Sequence, residues 1–127
     1  MTLQMLVKSE LATQKHTATE GLLWLVRGLD FCAQALRADI SAGGTQELST
    51  SFREAYKNTL APHHSFIVKP IFSAAMAATP YRQEFVARVA GDSSNTSKAE
   101  EDMKTWVAAL EERIGILYPF LASEAKW

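Results

Sequence analysis

Apolar residues recur along this chain at helical spacing almost from end to end, and no stretch alternates as a half-buried strand must. Leu3, Val7 and Leu11 share one face of a short first helix over 3–11. Thr17 followed by Glu20 is a capping-box pattern, which would satisfy the orphan amides of a first turn and open the second helix. Leu22, Leu25, Val26, Leu29, Cys32, Ala33 and Leu36 form its stripe, and Trp24, Gly28, Phe31 and Ala35 run beside it as a second line. Two neighbouring lines give the wide apolar surface of a central helix. A third helix spans 47–60, with Leu48, Phe52, Ala55, Tyr56 and Leu60 on one face.

Pro62 suits the opening of a fourth helix, where its missing N–H goes unused. Its stripe is His64, Ile67, Val68, Ile71, Phe72, Ala75 and Met76. Pro70 lies inside it and predicts a kink that frees the carbonyl of Phe66. Thr79-Pro80 ends this helix, and a short one covers 81–89. Ser97 with Glu100 is a second capping box. It opens a last helix to about Leu121, with Met103, Val107, Leu110, Ile114, Leu117 and Leu121 inward. The glycine pair Gly43-Gly44 marks a loop over 40–45, and 91–97 is a longer one. The expected fold class is all-α, five or six helices packed in layers, in a single domain over 1–127.

Composition narrows the function. With 127 residues and 47% hydrophobic character the chain can bury a core without staples. Thirteen basic against 14 acidic residues gives a net charge of −1, which excludes a strongly electrostatic nucleic-acid binder. Cys32 stands alone, so no intramolecular disulfide and no cysteine-rich zinc site is expected, and a reducing, cytoplasmic setting fits. The N-terminus has no signal-like apolar core. The apolar run over 65–79, broken by Lys69 and Pro70, is shorter than the ~20 residues of a membrane span. Asn95-Thr96-Ser97 matches a glycosylation acceptor, which carries little weight without a secretory route.

Enzyme chemistry finds little support. His63 and His64 are adjacent, so on a helix they point about 100° apart and grip one metal poorly. Neither they nor His16 and Cys32 have a zinc-site spacing, and no metal or cofactor is expected. There is no glycine-rich phosphate loop and no nucleophile elbow. Glu100-Glu101-Asp102 and Glu111-Glu112 read as solvated helix faces. Trp24 and His64 leave two readings open. Pattern alone favours core packing for both; the functional alternative is a flat platform at Trp24 and, at His64, a polar group at the mouth of an apolar pocket.

Those two residues sit in the most distinctive blocks of the chain. The run from Thr17 through Trp24, Arg27-Gly28 and Phe31 resembles the central helix of the glycolipid transfer protein family. So does the run from His63-His64-Ser65-Phe66 through Pro70-Ile71-Phe72 to Pro80-Tyr81-Arg82, and the closing Glu124-Ala125-Lys126-Trp127 looks like its fungal heterokaryon-incompatibility branch. The resemblance implies a two-layer helical sandwich and a non-enzymatic carrier of glycosphingolipids between membranes. It implies Trp24 under a neutral sugar, His64 on the ceramide amide, and an apolar cleft touched by Phe31, Phe72, Met76 and Phe85. Phe66 matches a position that contacts the bilayer. The family also uses an aspartate, an asparagine and a lysine from an upstream helix. Thr2-Leu3-Gln4 already matches a point past that helix, and Asp30, Lys57 and Asn58 lie in the wrong helices to replace the trio. The expectation is therefore a domain lacking its N-terminal helices, weakly selective for sugar, peripheral and transient at membranes. Its exposed apolar face could instead pair with a partner helix or a second copy, as a homodimer.

Overall fold

The computed structural model describes residues 1–91 and 95–126. Among them are six α-helices: α1 (Leu3–Ala12), α2 (Thr17–Ser41), α3 (Leu48–Asn58), α4 (Val68–Ala77), α5 (Arg82–Ala90) and α6 (Thr96–Glu124), with a 3-10 turn at Ala61–His63. The all-α class holds. α2 is the hub, with α3 and α6 packed along it, α1 against it, and α5 resting on α6.

The two lines of α2 serve two cores. Leu23, Val26 and Ala33 meet Val7 of α1 and Ile114 and Leu121 of α6, with Leu22, Leu29, Leu110 and Leu117 at the margin. Phe31, on the other line, joins Tyr56 and Leu60, Phe72 and Met76 of α4, and Phe52. The stripe expected of α2 was one residue out at its start: Leu23 is buried and Leu25 is exposed. In α6 the expected face is inward, with Val107, Ile114 and Leu121 buried, although Pro119 interrupts its last turns.

Both predicted capping boxes give way to other partners. The N-cap of α2 is His16, not Thr17. The Glu10 carboxylate reaches across from α1 and accepts from the N–H groups of Ala18 (2.9 Å) and Thr19 (2.8 Å) and from the Thr19 hydroxyl (2.9 Å). A negative group also suits the positive end of the helix dipole. At α6 the cap is Asn95, whose side chain accepts from the Lys98 N–H at 3.1 Å. Glu100 turns instead to Arg82, 3.3 Å away.

Arg82 is the second fastener. Its Nε donates to Asp39 of α2 at 2.8 Å, and its own backbone N–H donates to Glu47 at 2.8 Å. Asp39 is fully buried. Gly44 makes room, since a Cβ there would stand 3.0 Å from Nη1 of Arg82, and its φ of +81° strains any side chain. One guanidinium thus ties α5 to α2, α6 and the glycine loop.

The region after α3 departs most from expectation. α3 stops at Asn58, and Pro62 lies in the 3-10 turn and opens no long helix. His64 is extended (φ −98°, ψ 139°) and α4 begins only at Val68. Pro70 is therefore in the first turn of α4, where its missing N–H has no intrahelical duty, so the helix has no kink to make. Half of the expected stripe faces outward: Ile67 is 65% and Ile71 63% exposed, while Met76 is buried.

Replacing Arg82 with Met strands a buried carboxylate and is expected to cost about 3–5 kcal/mol, read by urea unfolding; a loss below about 1 kcal/mol contradicts its role as a fastener. Burial pushes the Glu10 carboxyl up, but the hydrogen bonds from Ala18 and Thr19 and the nearby His16 outweigh it and hold the group below its ordinary range. A lowered folded pKa stabilises above the unfolded value, about 4.3, and the contribution fades as pH falls through the folded value. Glu10→Gln should therefore melt below the parent at pH 7, with the gap closing below about pH 4.

Candidate functional site

The break between α3 and α4 carries His64 to the side of α2. Trp24, two turns into α2, is 39% exposed, so it is not a core residue. The His64 ring lies nearly parallel to its indole, 5.8 Å between centroids at 16°, and His63 meets it edge-on at 6.3 Å. Arg27, one turn further along α2, holds its guanidinium over the indole at 4.8 Å. This cation–π contact belongs to a side chain that also reaches solvent.

From His64 an aromatic column runs inward. Phe72 packs on His64 at 4.6 Å and stacks on Tyr56 at 5.4 Å and 11°. Phe31 completes it, edge-on to Phe52 (5.4 Å), Tyr56 (6.1 Å) and Phe72 (6.5 Å). Each such pair adds about 0.5–1.5 kcal/mol beyond simple burial, so the column is a stiff support for a half-exposed site. The Tyr56 hydroxyl lies 2.8 Å from Nδ1 of His64.

The electrostatics keep the imidazoles neutral. Burial pushes the His64 pKa below the ordinary histidine range, and the positive charge of Lys69 adds to this. His63 is lowered by burial first, then by Arg27 and by His64. Burial raises the Tyr56 phenol, so it keeps its proton. Near neutral pH the site thus holds two uncharged imidazoles, and a neutral imidazole offers one donor and one acceptor nitrogen.

Of the residues singled out from the sequence, Trp24, His64, Phe72, Phe31 and Met76 come together along this column. Phe85 lines a different feature, an apolar surface groove of about 290 Å³ with Leu36, Val89, Met103 and Trp106. Phe66 is 83% exposed, followed by the outward Ile67 and Ile71 with Lys69 between them. A larger apolar groove of about 470 Å³ lies between α1 and α2, lined by Leu3, Leu6, Val7, Thr19 and Leu22. Among the described residues no group of three or more His, Cys, Asp or Glu could hold a metal ion.

Neither Arg27 over the indole nor Tyr56 against His64 is legible in the sequence. Tyr56 reads as one more apolar position of α3. Its contact with His64, eight residues on, exists only because the 3-10 turn folds the chain back. The break at Leu60-Ala61-Pro62, taken as a helix stop, is the signal that could have suggested it.

A family model described as Glycolipid transfer protein (GLTP) matches residues 1–91. The chain is 58% identical over 127 residues to a glycolipid transfer protein of Aureobasidium melanogenum, covering 99% of this chain and 61% of that one. It is 31% identical over 117 residues to the human pleckstrin homology domain-containing family A member 8, covering 87% of this chain and 22% of that protein. Its structure is similar to the crystal structure of HET-C2, a fungal glycolipid transfer protein, with a TM-score of 0.89 and 52% identity over 98% of this chain and 62% of that one. It also resembles FAPP2, described as selecting simple glycosphingolipids using the GLTP fold, with a TM-score of 0.81 and 29% identity over 96% of this chain and 62% of that one. The chain thus spans about three fifths of the fungal relative's length and a smaller part of the human one's.

Proposed function

The chain belongs to the glycolipid transfer protein family, and on that premise we propose that it binds a glycosphingolipid and carries it between membranes. The observation that carries this reading is the half-exposed Trp24 set beside His64 at the outer end of the aromatic column. Sugar rings have apolar C–H faces that pack on an indole, and the indole N–H remains free for a hydroxyl. On the face that Arg27 covers, a sugar has to displace only a guanidinium. A neutral sugar linked to ceramide suits an uncharged imidazole neighbour. His64 donates to the ceramide amide, and Phe31, Phe72 and Met76 form the apolar wall beneath it. Phe85 serves the acyl chain through the groove it shares with Trp106.

Phe66, Ile67 and Ile71 make the membrane contact. Three outward apolar side chains around one lysine can enter the headgroup region without a basic patch, which fits brief, peripheral attachment from the cytoplasm. Among the described residues no helix is long and apolar enough to cross a membrane.

Transfer of labelled galactosyl- or glucosylceramide between vesicles tests this directly. Trp24→Ala is expected to slow transfer at least tenfold. His64→Ala should slow it about 10- to 100-fold, the range for an amide left unpaired in an apolar site. Transfer by Trp24→Ala at the parental rate sinks the reading.

The outward Leu3, Met5, Leu6 and Leu25 along the α1–α2 groove favour one other reading, a lipid-independent module that pairs through this face. Light scattering with native mass spectrometry separates the two. A lipid-loaded monomer is expected, and a tight lipid-free dimer favours the second reading.

A further inference from the structure

We propose that Tyr56 is a positioning residue for this site, whose hydroxyl proton, given to Nδ1 of His64, fixes the imidazole in the tautomer that leaves its Nε2–H free to donate to a carbonyl of the ligand. The inference rests on the lipid-binding reading for its purpose, though not for its geometry. Tyr56 is 7% exposed, and a buried hydroxyl left without a partner costs about as much as the hydrogen bond it lacks. The partner at hand is Nδ1 of His64, 2.8 Å away.

Two arrangements fit that distance. In one the phenol donates and Nδ1 accepts. In the other Nδ1–H donates to the phenol oxygen, which leaves the hydroxyl proton without an acceptor among the described residues, since its contact with His64 is the one hydrogen bond the hydroxyl makes to them. Only the first satisfies the hydroxyl. The flat neighbours of the imidazole, Phe72 and Trp24, hold its plane and compete for neither nitrogen. The charged groups acting on the two imidazoles are Lys69 on His64 and Arg27 on His63, both cations that favour the neutral ring. With Nδ1 committed inward, Nε2–H is the one polar handle His64 offers. The site therefore recognises a hydrogen-bond acceptor, as an amide carbonyl is, and not an N–H.

Nitrogen-resolved NMR of the histidine-labelled, ligand-free chain reads the tautomer without any variant. A single Nε2–H tautomer for His64 is expected, and an Nδ1–H tautomer overturns the proposal. Tyr56→Phe keeps the ring stack and removes only the hydroxyl. It should raise the His64 titration midpoint, because the neutral ring loses the bond that favoured it. It should also slow glycosylceramide transfer about fivefold, the factor for one neutral hydrogen bond. An unmoved His64 midpoint in Tyr56→Phe contradicts the proposal. If neither the parent nor the variant transfers lipid, the lipid-carrier reading fails, while the tautomer and the midpoint still decide the role of Tyr56.

Discussion

α2 carries two apolar lines, and both have to be covered, each from a different side. The rest of the chain is arranged around that requirement. Leu23, Val26 and Ala33 draw α1 and α6 onto one line, and Phe31 draws α3 and α4 towards the other. Hydrophobic burial is non-directional, so it brings these helices together without fixing their angles. The directional groups do that. Glu10 locks the end of α1 onto the first turn of α2, and Arg82 locks α5 and α6 to its far end through Asp39 and Glu100. Between these two fasteners lies the exposed face that bears Trp24.

That face becomes a site because the chain refuses to continue as helix after α3. Had α3 and α4 been one helix, His64 would follow helical direction and Tyr56 could not reach it. The 3-10 turn and the extended His64 double the chain back, so that a ring from the connection sits between the indole of α2, on which it stacks, and the phenyl of α4, to which it is tilted. The same connection pushes Phe66, Ile67 and Ile71 outward. One local break thus sets both the position of the imidazole and the outward turn of these apolar side chains.

Much of this was legible in the sequence. Helical spacing identified the six described helices, the faces of α2 apart from its first turns, and the inward face of α6. The errors share a physical cause: local patterns lost to partners distant in sequence. Thr17 with Glu20 makes a sound capping box, but the Glu10 carboxylate offers two amides and a hydroxyl a better acceptor. Ser97 with Glu100 fails because Glu100 pairs with Arg82. Pro70 predicts a kink only for a helix that starts at Pro62; the helix starts six residues later, at Val68, and in a first turn a proline interrupts nothing. The site was legible as residue types, Trp24 and His64, and as resemblance. Its connectivity was not. Arg27 over the indole and Tyr56 behind the imidazole follow from chain reversal, which periodicity cannot register.

The chain covers about three fifths of its fungal relative, and the Trp24–His64 column lies within the described residues. The account stands on that column presenting a flat platform to a sugar. Intermolecular nuclear Overhauser effects with glucosylceramide in mixed micelles measure this most directly. Contacts between the sugar C–H protons and the indole protons of Trp24 are the predicted result. Sugar contacts confined to other residues, with none at Trp24, would contradict it.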